Sequence, residues 1–191
     1  IPAAGLPLCA ADLRARVAEL GPWFHNIEFA PGIATRRIAP APGPQPADHP
    51  LRRWQVYREV LPADMRGMRV LDLGSADGFF ALEMARRGAL VLAQDSWGAM
   101  IARLRLAAQA TGLQDRIWTR VGEVTAIRPG ERYDAVLALG LLYHLRHPFH
   151  DLEIIARATD LLWLETTLHP GEGSFIHFKP PAAGVHHIRK W

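Results

Sequence analysis

The stretch "VLDLGSADGFFALEMARRG" at residues 70–88 decides the fold. Its apolar start is typical of a buried strand, and its second half has a helical periodicity that ends at Gly88. Gly74 and Gly78 stand between the two in the pattern Gly-x-x-x-Gly. Because glycines let the backbone turn tightly and approach a ligand, this stretch predicts a binding turn at the carboxyl end of a strand.

The alternation of strand and helix continues beyond this turn. A strand is predicted at 89–95 and a helix at 97–112. Further strands are predicted at 116–123, 133–140 and 161–166, with a helix at 148–159 before the last of them. Strands separated by helices indicate an α/β fold, a Rossmann-like, doubly wound and mostly parallel sheet with helices on both faces.

The first fifty residues have a different organisation. Residues 8–20 have helical spacing, whereas 39–50 contain so many prolines that regular structure is excluded. Helical periodicity returns at 51–61. We therefore predict an N-terminal helical extension with a proline-rich loop at 1–50, able to act as a lid, and a ligand-binding domain at 51–191.

The composition is that of an ordinary globular protein with one sizeable core: 191 residues, 49% hydrophobic and 21% charged. A formal net charge of +3 permits an anionic partner without requiring one. The single cysteine, Cys9, excludes an intrachain disulfide and suits a reducing compartment, so a cytoplasmic location is expected. No apolar run reaches the length of a membrane span.

Acidic residues around the turn indicate the ligand. Asp72 and Asp77 would repel phosphate but attract an ammonium group, and the dinucleotide pattern Gly-x-Gly-x-x-Gly is absent. Asp95 ends the next strand, where a carboxylate can accept both hydroxyls of a ribose. S-adenosylmethionine, with S-adenosylhomocysteine as product, combines these groups. The alternative is a plain tight turn, with Asp95 or Ser96 as a helix N-cap.

The segments "VLDLGSADGFFALEMARRGA" and "VLAQDSW" resemble the cofactor motifs of class I S-adenosylmethionine-dependent methyltransferases. Residues 21–35 and 140–166 resemble a subgroup that includes the tRNA wobble-uridine 5-oxyacetic acid synthase, a carboxymethyltransferase, and its smaller relatives. The resemblance places four residues around the amino-acid end of the cofactor and others at its ribose, its adenine and the transferred group. The four residues at the amino-acid end are Asp72, Gly74, Ser75 and Gly78. Asp95 and Ser96 are at the ribose, Glu123 is at the adenine, and Tyr143 faces the transferred group. Leu139 completes the cofactor-binding set.

The sequence departs from that family at two places. Ala76 stands where many methyltransferases carry a second glycine. Arg52 and Arg53 are the candidates for holding the extra carboxylate of carboxy-S-adenosylmethionine, and they match no fixed pattern. Methyl transfer is therefore favoured over carboxymethyl transfer.

Two histidines are candidate general bases, since the ordinary pKa of histidine lies near neutral pH. His144 follows the fourth strand, and His25 lies in the predicted lid. For each the alternative is a capping or packing role, and Tyr143 could equally be a packing aromatic.

Other polar and aromatic clusters carry weaker interpretations. His144, His147, His150 and Asp151 have the spacing of metal ligands, but Pro148 should interrupt a shared helix face, so no metal is predicted; His186 and His187 add nothing to this. Four aromatic residues could form a wall of the substrate site or pack in the core: Trp23, Phe24, Trp54 and Trp97. The arginine-rich part of the helix at Arg103–Arg105 is predicted to be a solvated face.

We therefore expect an enzyme that methylates an oxygen or nitrogen of a small metabolite or sugar-like acceptor. The alternatives are a tRNA wobble-uridine (carboxy)methyltransferase and a non-catalytic cofactor- or partner-binding module. The sequence starts at Ile, and only 24 residues follow Thr167, so we expect either a fragment or a shortened sheet.

Overall fold

The computed structural model describes residues 9–43 and 49–168. Its main sheet has five strands: β3 (Arg69–Leu73), β4 (Leu90–Asp95), β5 (Ile117–Val121), β6 (Ala135–Leu139) and β7 (Leu162–Glu165). Their order is β5-β4-β3-β6-β7, and every pair is parallel. The predicted strands are confirmed, as is the doubly wound, mostly parallel sheet.

Helices cover the two faces of this sheet. Helices α4 (Phe79–Arg86) and α5 (Gly98–Ala110) pack on one face, against β3, β4 and β5. The other face carries the short helix η1 (Val124–Ala126) and helix α6 (Pro148–Ala158). Pro148 is the first residue of α6 and does not interrupt it, because a proline at this position lacks only an N–H that no helical carbonyl would accept.

The N-terminal part packs into the same core. Helices α1 (Ala10–Leu20) and α3 (Leu51–Val60) confirm the predicted ones, while a hairpin of β1 (Glu28–Ala30) and β2 (Ile33–Ala34), followed by helix α2 (Thr35–Ile38), was not predicted. Val17, Trp23 and Ile33 belong to one buried cluster with Phe80 and Leu104. The division at residue 50 and the lid remain predictions, and residues 44–48 of the proline-rich loop lie outside the described part.

The strand order reverses between β3 and β6. The chain runs outward from β3 to β4 and β5, then crosses back to β6 and β7. Gly74 follows β3 and Gly140 follows β6, both in the left-handed region, with φ of 68° and 74°. In parallel α/β sheets the crevice at such a reversal is where ligands bind, so both glycines border the candidate site.

Candidate functional site

The turn after β3 is fixed by the neighbouring strand. The backbone N–H groups of Gly74 and Ser75 donate to the Gln94 carbonyl at 2.9 and 3.1 Å. The Ala76 N–H donates to Asp95 Oδ2 at 3.0 Å. Ala76 has a φ of 47°, the left-handed region that favours glycine, so the turn holds an alanine in a strained conformation.

The two motif glycines are required for different contacts. A Cβ on Gly74 would lie 3.1 Å from Leu141 Cδ1, so the turns after β3 and β6 pack closely. A Cβ on Gly78 would lie 2.5 Å from Leu104 Cγ. Gly78 therefore allows α4 to pack against α5, whereas the sequence analysis had assigned it to close approach of a ligand.

Asp72, in β3 just before the turn, is the most unusual group at this site. It is 2% exposed, and its Oδ2 has no hydrogen-bond partner within the described chain. Burial, and then the nearby Asp95, raise the pKa of Asp72 to about 7, while a hydrogen bond from the Ala81 backbone acts in the opposite direction. The buried Oγ of Ser75 is likewise unpartnered among the described residues. Unsatisfied buried polar atoms are rare in native proteins, so this pair indicates a ligand that bonds them.

Asp95 lies at the end of β4, beside the same turn. Its Oδ1 accepts the Trp97 N–H at 2.9 Å and its Oδ2 accepts the Ala76 N–H. Burial raises the pKa of Asp95, and these hydrogen bonds together with His144 act against that rise. Each carboxylate oxygen has a second lone pair, so Asp95 can both hold the turn and accept from a ligand hydroxyl.

Asp77 contacts the N-terminal segment and helix α5. Its Oδ2 accepts the backbone N–H groups of Phe24 and His25, and its Oδ1 lies 3.6 Å from Arg103 Nη1. Asp77 is 0% exposed, and Arg103, which also donates to the Leu20 carbonyl, is 9% exposed. The prediction of a solvated face at Arg103–Arg105 is therefore wrong for Arg103, because its guanidinium neutralises a buried carboxylate.

His25 is a buried residue of the N-terminal segment and contacts the start of α4. It is 4% exposed, and its Nδ1 accepts the Phe79 N–H at 3.5 Å. Burial, followed by the positive charges of His49, Arg53 and Arg36, lowers the pKa of His25 to about 3. The ring is thus neutral near pH 7 and supports the start of α4.

A second polar cluster lies beyond the end of β6. The short helix η2 (Leu142–His144) carries Tyr143 and His144, both exposed, with ring centroids 4.5 Å apart. Arg53 Nη1, from α3, lies 3.5 Å from Glu165 Oε2 at the end of β7. The structure therefore places His144 within electrostatic reach of Asp95, and Arg53 and Glu165 beside Tyr143.

The other predicted residues lie around the rim of the crevice. Glu123 follows β5 with an exposed side chain, and its carbonyl accepts from Gln94 Nε2 at 2.7 Å. Ser96 is exposed after β4, and Leu139 is half-buried at the end of β6. Trp23 and Trp54 belong to the hydrophobic core, which accounts for these two aromatics by packing.

The described segments contain neither a cluster of metal ligands nor a membrane-spanning helix. Within 9–43 and 49–168, no three His, Cys, Asp or Glu side chains lie close enough together to hold a metal ion. Among the same residues, no helix combines the length and apolar character that crossing a bilayer requires. His186 and His187, like the rest of 169–191, lie outside the described residues.

Comparison with known proteins identifies the family to which this fold belongs. Residues 70–162 match the family model of a methyltransferase domain. These residues contain the whole glycine turn, Asp95 and η2. The core of the chain is a class I S-adenosylmethionine-dependent methyltransferase domain. The predicted fold and cofactor class of this methyltransferase domain are thereby confirmed.

Curated relatives and solved structures extend the comparison. The chain is 30% identical to the ubiquinone biosynthesis O-methyltransferase of Dinoroseobacter shibae over 68% of this chain and 52% of that protein. It is 32% identical to the protein of the same name from Xanthomonas euvesicatoria pv. vesicatoria, over 65% of this chain and 53% of that protein. The chain thus spans about half the length of these relatives.

Among solved structures, the N-terminal domain of EvdMO1, crystallised in the presence of S-adenosylhomocysteine and D-fucose, matches with a TM-score of 0.66. It is 27% identical, with coverage of 83% of this chain and 66% of that chain. The cyclase SpnF matches with a TM-score of 0.53 at 23% identity, over 78% of this chain and 52% of that chain, and shows the fold alone.

Sequence reasoning missed Glu165 and Tyr57 in the methyltransferase domain. Burial and then Glu165 raise the pKa of Tyr57, which places this tyrosine of α3 beside the same cluster. Tyr57 lies in no recognised motif, and Glu165 lies within 140–166, where the resemblance gave it no role. The only available signal for Glu165 was its place at the end of a predicted parallel strand, where functional residues collect.

Proposed function

We propose that this chain transfers a methyl group from S-adenosylmethionine to an oxygen or nitrogen of a small-molecule acceptor. The observation that carries the proposal is the buried Asp72 carboxylate, with an unpartnered oxygen beside the unpartnered Ser75 hydroxyl at the carboxyl end of β3. An ammonium group is the partner that would stabilise such a carboxylate most.

The residues around the turn fit the rest of the cofactor. Asp72 and Ser75 would hold its amino-acid end, with Gly74 leaving the turn open to solvent. Asp95, with Ser96, would accept from the ribose hydroxyls, and the exposed Glu123 would face the adenine amino group. Leu139 and Gly78 would shape the site through packing. When bound, this cofactor supplies an electrophilic methyl group on a sulfonium.

The chain's own contribution to the chemistry would be positioning and proton removal. We assign the base to His144, because it is exposed on η2 within electrostatic reach of Asp95. His25 is ranked below it, because its ring is buried and its Nδ1 already accepts the Phe79 N–H. Tyr143, whose ring lies against His144, would orient the acceptor.

Similar proteins support a small-molecule acceptor. The curated relatives are named for ubiquinone biosynthesis, and the EvdMO1 domain was crystallised with D-fucose. A phenolic or a sugar hydroxyl is therefore the acceptor group to test first. The match to a cyclase of the same fold shows that the fold by itself does not fix the reaction.

One observation favours a second candidate, carboxymethyl transfer to a tRNA wobble uridine. Arg53 lies beside Tyr143, where a guanidinium could hold the carboxylate of carboxy-S-adenosylmethionine. Glu165 lies 3.5 Å from the same guanidinium, however, and offsets its charge. Methyl transfer is therefore the preferred function.

Calorimetric titration of the purified chain tests these alternatives. Micromolar binding of S-adenosylmethionine and S-adenosylhomocysteine, with no binding of NAD, is expected. A preference for carboxy-S-adenosylmethionine would favour the tRNA reaction, and absence of binding would contradict the proposal. Transfer of a labelled methyl group to phenolic and sugar acceptors then separates an enzyme from a module that binds cofactor without turnover, for which wild type and His144→Ala would be equally inactive.

A further inference from the structure

Polar atoms of three side chains converge on Gly140, directly after β6. An ideal Cβ at this residue would lie 3.0 Å from Tyr143 Oη, 3.4 Å from Glu165 Oε2 and 3.9 Å from Arg53 Nη1. These three groups come from η2, β7 and α3. Three separate elements therefore direct polar atoms at one point beside the end of β6.

The glycine keeps that point open. Its φ of 74° lies in the left-handed region, and its N–H donates to the Glu165 carbonyl at 3.0 Å, which fixes the two strand ends together. Any side chain here would be strained and would also occupy the space between Tyr143 and Glu165. The space is therefore a built feature of the junction between β6 and β7.

The groups around Gly140 leave hydrogen-bonding capacity unused. Glu165 Oε2 is buried and has no hydrogen-bond partner within the described chain, although Arg53 Nη1 lies 3.5 Å away. Burial, and then Glu165, raise the pKa of Tyr143, while Arg53, which hydrogen-bonds the Tyr143 hydroxyl, acts against that rise. The hydroxyl remains protonated at neutral pH and can donate. A carboxylate that accepts, together with a phenol and a guanidinium that donate, offers complementary partners for a group that does both.

The charges of the cluster select what can bind there. Glu165 and Arg53 sum to zero, and the tyrosine hydroxyl is neutral. A ligand carboxylate or phosphate would be repelled by Glu165, and a ligand ammonium would be repelled by Arg53. A pair of neighbouring hydroxyls can donate to Glu165 and accept from Arg53 and Tyr143 without either penalty.

We propose that Arg53, Tyr143 and Glu165 form the acceptor subsite around Gly140, and that this subsite takes a neutral polyhydroxylated acceptor such as a sugar ring. This inference rests on the proposed function, because it assigns the substrate class of the same crevice. Glu165 accepts a hydrogen bond from one ligand hydroxyl, while Arg53 and Tyr143 donate to its neighbour. The three are specificity-determining residues, and the proton is removed elsewhere, at His144.

A matched pair of sugars tests the charge argument. D-galactose and D-galacturonate differ only at C6, where the hydroxymethyl group of the first is a carboxylate in the second. Ligand-observed NMR in the presence of saturating S-adenosylhomocysteine detects millimolar binding of either sugar. The wild-type chain should bind D-galactose at least about tenfold more tightly than D-galacturonate. Glu165→Gln should weaken D-galactose by about tenfold and shift the preference toward D-galacturonate, because Arg53 then becomes the unbalanced charge. Gly140→Ala should abolish binding of both sugars.

Controls separate this subsite from the cofactor site and from misfolding. Arg58→Met, on the exposed side of the same helix α3, should bind as wild type does. S-adenosylhomocysteine affinity should stay within about twofold in every variant. If wild type prefers D-galacturonate, binds no neutral sugar, or keeps its preference in Glu165→Gln while the cofactor product still binds, the subsite is overturned. Failure of S-adenosylhomocysteine to bind wild type would instead overturn the proposed function.

Discussion

The proposed cofactor side and the proposed acceptor side of the crevice are built in opposite ways. On the cofactor side, Asp72 and Ser75 come from one continuous stretch, the end of β3 and the turn after it, and both are 2% exposed. On the acceptor side, Arg53 and Glu165 are separated by more than one hundred residues along the chain, and their side chains are 46% and 24% exposed. The cofactor side is therefore formed by one short buried segment, whereas the acceptor side is formed by partly exposed side chains from distant parts of the sequence. Substitutions should therefore act on them differently.

Removing a buried carboxylate from the cofactor side should have the largest effect on stability. Asp77→Ala takes away the acceptor for the Phe24 and His25 N–H groups and leaves Arg103 buried without its counterion. We expect a loss of about 3–5 kcal/mol in the free energy of unfolding, measured by urea denaturation.

The acceptor side provides the contrast to this substitution. Glu165→Ala removes a partly exposed ion pair and should cost less than about 1 kcal/mol. Asp77→Asn keeps an acceptor oxygen, so its loss in the free energy of unfolding should lie between those of Asp77→Ala and Glu165→Ala. Equal losses for Asp77→Ala and Glu165→Ala would contradict the distinction between a buried and a half-open side.

The acid stability of the chain should depend on His25. Its pKa is about 3 in the folded chain and about 6.5 when exposed. Between these two pH values the unfolded state binds a proton that the folded state does not bind. This contribution to stability is present above pH 6.5 and is lost as the pH falls toward 3. Asp72 acts in the opposite direction, since its raised pKa favours the folded state below about pH 7.

Comparison of His25→Gln with wild type isolates the histidine. Between pH 6.5 and 4.5 wild type should lose about 2 kcal/mol relative to the variant. Urea denaturation at several pH values measures the difference. Parallel stability profiles for the two proteins would show that His25 is not buried in its neutral form.

Cofactor binding should depend on pH through Asp72. The free carboxyl has a pKa of about 7, and only its ionised form pairs with an ammonium group, so affinity should rise with pH up to that value. We expect S-adenosylhomocysteine to bind about tenfold more tightly at pH 7 than at pH 5.5 in calorimetry. Glu165→Gln should show the same slope, because the acceptor side takes no part in it. An affinity that does not change with pH would show that Asp72 does not bind the ammonium group.

The smallest effect should come from relieving the strained turn. Ala76 has a φ of 47°, which a glycine adopts without a Cβ penalty. Ala76→Gly should stabilise the chain by about 1 kcal/mol in urea denaturation, with Ala110→Gly at the end of α5 as a control that should not stabilise. Destabilisation of Ala76→Gly would show that the alanine side chain makes contacts worth more than the strain.

The same contrast explains what could be predicted from the sequence. The strand, the glycines and Asp95 lie in short contiguous patterns, so β3, β4, α4 and α5 were identified within two residues of their observed ends. The five residues of the β1–β2 hairpin are too few to show an alternating pattern, and the burial of Arg103 depends on Asp77 on a different element. Glu165 and Tyr57 were missed because their significance depends on which distant residues they meet. Sequence patterns report local structure, and the acceptor side is almost entirely non-local.

The most direct test of the account is calorimetric titration of S-adenosylhomocysteine into wild type, Asp72→Asn and Glu165→Gln, with the exposed Asp115→Asn as a control for charge. The account predicts that Asp72→Asn weakens binding about 100-fold, because the ammonium group of the ligand loses its buried carboxylate partner. Glu165→Gln and Asp115→Asn should bind within about twofold of wild type. Wild-type affinity in Asp72→Asn, or an equal loss in Glu165→Gln, would contradict the assignment of the two sides.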